Sequence, residues 1–187
     1  MKRLLMAVTV AIALSLTGAA VAQETTTVDA RTAAKVEAML GGFEYVPTAA
    51  EWKNLGPDAA VALRQIAADP KEMAIRRGRA VSALAHFADD TNFNALATLL
   101  NNAATPEQVK RKALLTLAVA HGDKAVQVIS PFAADASRDV RESAIKALGR
   151  INTPSARSVL EARVQVEPKA QLRDAIRLNL KKQPSTR

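Results

Sequence analysis

The chain has 187 residues, no cysteine, 3% aromatic residues and a formal net charge of +8. With 49% hydrophobic and 24% charged residues it has the balance of a globular protein, which excludes low-complexity disorder and collagen-like sequence. The lack of cysteine excludes disulfides, thiolate metal sites, a thiol nucleophile and a lipidated cysteine, and the aromatics are too few to stack bases or sugars along an extended surface.

Residues 1–22 read as a secretory signal peptide. Lys2 and Arg3 form a positive start, Leu4 to Leu16 an apolar core, and Ala20-Val21-Ala22 a small-x-small site before Gln23. A retained anchor would need about 20 apolar residues, and Thr17, Gly18 and the alanines that follow do not supply them. Cleavage removes Lys2 and Arg3 and lowers the net charge from +8 to +6. The mature protein is therefore expected to be periplasmic or secreted, without stable membrane insertion, and to hold its core together without disulfides.

Residues 23–56 read as a tail and an N-terminal capping segment. Within 29–40, Ala33, Val36, Met39 and Leu40 fall on one helical face, and Gly41-Gly42 ends the run. Phe43, Tyr45 and Trp52 then bring half of the aromatics into ten residues. An aromatic ligand patch is one reading. A cap over the exposed apolar face of a repeat stack is favoured, because such stacks need one.

Residues 57–182 repeat, and 183–187 remain as a C-terminal tail. Val109, Ala113 and Leu117 align with Val140, Ala144 and Leu148 at a spacing of 31, Ala80 and Leu84 lie 33 residues earlier, and Leu180 lies 32 beyond Leu148. Four copies of about 32 residues follow, each reading as two helices. The first helices are predicted over 57–69, 91–104, 123–135 and 154–167, the second over 71–88, 106–121, 137–150 and 169–182. Thr105-Pro106 and Thr153-Pro154 look like an N-cap followed by a first-turn proline, Asp90-Thr91 like a cap between copies, and Gly149 and Asn152 like stops. No segment alternates apolar and polar residues long enough to be a strand, so the chain is expected to be all-α. A helix pair this short cannot bury its apolar stripe alone, so the pairs must stack, with alanine allowing close approach.

The pattern Asp135, Val140-Arg141, Ala144-Ile145, Ala147-Leu148-Gly149 resembles the HEAT repeat, especially the short bacterial class grouped with phycobilisome-lyase-like repeats. The resemblance covers about residues 57–182. It implies an α-solenoid of about four stacked helix pairs with an N-terminal helical cap, the second helices lining the concave face. It also implies a binding scaffold more than a chemistry.

Charge is segregated between the two helix layers. The second helices carry 16 Lys/Arg against 5 Asp/Glu, the first helices 4 against 6. Arg77, Lys110, Arg141 and Arg173 recur at spacings of 33, 31 and 32 and form a candidate ladder. In the family resembled, such an arginine pairs with the aspartate of the turn inside its repeat and with carbonyls of a neighbouring repeat. Asp69 and Asp135 stand where that aspartate would be, so the ladder is read as structural ahead of ligand-binding. The off-ladder residues Arg79, Lys112, Lys146, Arg150 and Arg177 are the candidate binding residues of a basic concave face.

Chemistry finds little support. His86 and His121 lie near the ends of successive second helices without a third histidine or the carboxylates of a His-Glu metal pair. There is no Gly-x-Ser-x-Gly elbow and no phosphate-cradling glycine loop. The sequence thus predicts an exported, non-enzymatic scaffold with no cofactor that binds an acidic protein segment. Nucleic-acid or other polyanion binding is the alternative, and a lyase-like repeat enzyme ranks last.

Overall fold

The computed structural model describes residues 28–42 and 45–182, and every regular element among them is helical. The signal-peptide reading at 1–22, the tail at 183–187 and Phe43 lie outside the described residues. The chain begins with α1 (Ala30–Gly41) and the short α2 (Ala49–Asn54). Four helix pairs follow. Their first members are α3 (Pro57–Ala68), α5 (Asp90–Asn101), α7 (Val126–Ile129) and α9 (Pro154–Val166). The second members are α4 (Ala74–Ala83, continued by a 3-10 turn to His86), α6 (Glu107–His121), α8 (Arg138–Ile151) and α10 (Ala170–Lys182). With this repeated two-layer stacking the fold is an all-α, HEAT-like solenoid.

The stack holds because one apolar stripe per helix meets its neighbours. Ala80, Ala113 and Ala144 occupy the same repeat position on α4, α6 and α8, and all three are fully buried. Their methyl groups let the second helices approach closely. Leu84, Leu117 and Leu148 recur four residues on and fill the space between the layers. Each second helix packs on the next, while the first helices touch one another only sparsely. Thr116 reinforces the inner layer by donating from Oγ1 to the Val81 carbonyl at 3.1 Å.

Caps fix where the helices begin. Ser137 and Thr153 accept backbone N–H groups at the starts of α8 and α9, and Pro154 opens α9. Three expected signals resolve differently. Asp89, not Asp90, caps α5 by accepting from the Asn92 N–H at 2.7 Å. Thr105 does not cap α6: its side chain is buried and its hydroxyl has no partner among the described residues. Gly149 does not end α8 but lies inside it, where a Cβ would come within 2.6 Å of the Asn179 side chain. The stop comes at Asn152, whose left-handed φ of 53° ends the helix.

The first helix of the third pair is also broken. Short 3-10 turns at Gly122–Ala125 and Ser130–Ala134 flank α7. Pro131 lacks the N–H that would bond the Gln127 carbonyl in a continuous α-helix, and the Ser130 hydroxyl donates to that carbonyl at 3.4 Å instead.

Candidate binding face and trough

The exposed side of the second helices can be read from the repeat register. Ile75, Arg79, Ser82 and His86 on α4 line one trough, at spacings that place them on one helical face. The equivalent positions are Gln108, Lys112, Leu115 and Val119 on α6, and Asp139, Ser143, Lys146 and Arg150 on α8, of which Ser143 is buried and accepts from Arg111 Nε at 3.2 Å. Ile75 is 60%, Val119 59% and Leu178 of α10 55% exposed on this side. The face therefore mixes bare apolar side chains with cations.

The five candidate binding residues divide. Lys112 and Arg150 are exposed and their side chains have no hydrogen bond or ion pair among the described residues. Lys146 is exposed but held by Glu142 at 2.7 Å. Arg79 is already engaged within the fold. Its Nη1 donates to the Leu40 and Gly42 carbonyls at 2.7 and 3.2 Å, satisfying the end of α1. Arg177 lies off the face. Its repeat position is held by Val81, Leu114 and Ile145 in the earlier helices, all fully buried, whereas Arg177 is exposed and paired with Asp174 at 2.9 Å.

The ladder residues turn inward. Arg77 is buried and donates from Nε to the Ala67 carbonyl at 2.9 Å. Arg141 donates to the Asp135 and Ala136 carbonyls at 2.9 and 3.0 Å, and Arg173 to those of Glu167 and Pro168 at 2.8 and 3.1 Å. Each arginine thus ties down the turn of its own pair. Lys110 makes no such side-chain bond among the described residues.

The expected pairing with the turn aspartates is replaced. The carboxylates of Asp69 and Asp135 accept the backbone N–H groups of Lys71 and Ser137, each at 2.8 Å. The anion facing Arg141 is Glu167 of the next pair, at 3.2 Å. Burial alone would push the Glu167 carboxyl up, but hydrogen bonds from Arg163, the Lys169 N–H and Arg141 outweigh it and hold the group below the ordinary value. Sequence reasoning missed Glu167 although it continues the turn series Asp69, Asn102 and Asp135, each of which ends its first helix and accepts the backbone N–H two residues on. Its sequence signals were its place 32 residues after Asp135 and its i+4 spacing from Arg163.

A trough of about 600 Å³ lies where the N-terminal segment meets α4 and α6. Leu40 and Trp52 contribute from α1 and α2, Ala74 and Ala83 from α4, and Arg79 and Lys112 supply cations. Among the described lining residues there is no carboxylate. Trp52 is buried in the shared core, whereas Tyr45 stands 49% exposed at the rim with its hydroxyl donated to Glu51. Glu51 also closes a capping box with Thr48 at the start of α2. Trp52 thus packs against the first pair, and Tyr45 and Trp52 both wall the trough.

The histidines do not meet. His86 lines the trough, while His121 packs edge-on against Phe93 at 5.2 Å, with Lys124 4.7 Å above that ring. No group of three or more potential metal-ligating side chains is present among the described residues.

Residues 93–181, from within α5 to near the end of α10, match the family model for HEAT repeats. No curated protein matches the chain. Repeats of this kind form helical scaffolds that commonly serve as protein-interaction modules. The first helix pair and its N-terminal cover lie outside the matched stretch.

Proposed function

We propose that this protein is an exported, non-enzymatic scaffold that holds an acidic protein segment against the open face of its second helices. The observation that carries this reading is the composition of that face. Lys112 and Arg150 stand without partners among the described residues, beside exposed Ile75, Val119 and Leu178. Closer packing within the second-helix layer favours curvature around it, and a concave basic wall concentrates positive potential. The exposed apolar side chains favour a protein segment over a nucleic acid, which would leave them wet.

The test is capture from the extracytoplasmic fraction by the purified protein and by a Lys112→Glu/Arg150→Glu variant. An acidic protein recovered by the first and lost by the second is the expected result, and equal recovery overturns it. A polyanion would reveal itself by a steep loss of affinity between about 50 and 200 mM salt. Export predicts that the mature chain begins at Gln23, which N-terminal sequencing reads directly.

A further inference from the structure

We infer that the trough beneath the N-terminal segment is an anchor pocket for one large apolar side chain of the acidic partner segment. This deepens the reading above and rests on it. The trough volume, about 600 Å³, is in the range of ligand pockets, and Leu40, Trp52, Ala74 and Ala83 give it an apolar lining.

The wall is held before anything binds. Arg79 clasps the end of α1, and Tyr45 is tied to Glu51 beside the capping box. A pocket held in this way needs little ordering when it is filled.

The rim decides the kind of occupant. Ile75 is 60%, Tyr45 49% and Val46 86% exposed around the opening. A compact amphiphile sunk in the trough would leave this apolar rim in water. A chain that dips one side chain in and runs on across the rim covers it. That chain should carry carboxylates, because the charged groups among the described lining residues are Arg79 and Lys112.

The repeat spacing sets a register. Neighbouring packed helices lie about 10 Å apart, and an extended chain advances about 3.3 Å per residue. From an anchor at α4, carboxylates are therefore required about three residues on, at Lys112 of α6, and about six residues on, at Lys146 and Arg150 of α8.

The experiment selects displayed random peptides of about twelve residues, long enough to span three helices, on the purified protein. Enriched sequences are expected to carry one large aliphatic or aromatic residue with Asp or Glu about three positions away. A tryptophan-free synthetic consensus should then shift the emission of Trp52, the sole tryptophan. Changing the anchor to alanine, or Ile75→Asp in the protein, should abolish that shift. Lys112→Glu should weaken binding at least about tenfold.

Acidic peptides that bind through Lys146 and Arg150, need no apolar anchor and leave Trp52 unchanged would overturn the pocket while sparing the groove. Enrichment of sequences without acids, or no enrichment, would overturn both. Displacement of the consensus by dodecanoate, with no requirement for its carboxylates, would identify a small amphiphile site and overturn the anchor.

Discussion

Arg141 donates from Nε to the Glu167 carboxylate at 3.2 Å, joining the third helix pair to the fourth, and the Glu167 side chain is completely enclosed. Removing one partner of a buried ion pair costs more than the pair contributes, because the other charge stays behind. Arg141→Ala should lower stability by about 1–3 kcal/mol, because Arg163 and the Lys169 N–H still hold Glu167. Glu167→Gln, which removes the anion from both arginines, should cost about 3 kcal/mol. Because the folded carboxyl lies below its ordinary value of 4.5, its contribution is complete above that value and is lost as the pH falls through the folded value. Urea unfolding of wild type and Glu167→Gln from neutral to acid pH measures both effects. Parallel curves would remove Glu167 as the source of acid sensitivity.

His121 makes a separate contribution at milder pH. Burial, then the nearby Lys124, lowers its affinity for a proton below the ordinary value of 6.5, against the opposing pull of Asp89 and Asp90. The unfolded chain thus takes up this proton more readily. Stability should be full above pH 6.5 and decline below it. His121→Phe keeps a ring against Phe93 and should flatten the curve between about pH 6.5 and 5. An unchanged slope in thermal denaturation would refute this.

Thr105 carries a buried hydroxyl with no partner among the described residues. A desolvated, unbonded hydroxyl costs stability, and valine has nearly its shape. Thr105→Val should raise the unfolding free energy by about 1 kcal/mol. A loss of that size would mean that the hydroxyl is satisfied in solution.

Gly149 and Asn179 share one space where α8 meets α10. Alanine is favoured over glycine inside a helix by about 1 kcal/mol, but its Cβ would have to displace the Asn179 side chain. Gly149→Ala alone should be near neutral, and the same change in an Asn179→Ala background should stabilise. Additive effects in the double-mutant cycle would show that the two side chains do not compete.

The repeats are legible in the sequence because Ala80, Ala113 and Ala144 and the leucines four residues on return at nearly constant spacing. The basic layer is legible for the same reason. Thr105 and Thr153 show where local reading fails: both precede proline, yet Thr153 is the N-cap of α9, whereas Pro106 takes the N-cap position of α6 and leaves Thr105 one residue outside it. The trough is not legible, since residues from α1, α2, α4 and α6 meet only after stacking. Arg79 and Lys112 are singled out by charge, but nothing local distinguishes an arginine that clasps α1 from one facing open solvent. Glu167 escapes notice because the turn series it shares with Asp69, Asn102 and Asp135 changes residue type from copy to copy.

Arg177 has a consequence for the size of the particle. Where Val81, Leu114 and Ile145 are fully buried, α10 presents a guanidinium paired with Asp174. Arg177→Leu would place an apolar side chain on the exposed side of α10. An adhesive patch of this kind meeting a different surface on another copy does not close on itself, and such contacts grow into open fibres. Light scattering should detect concentration-dependent growth in that variant. One exposed charge on α10 thus works against growth of one copy onto another.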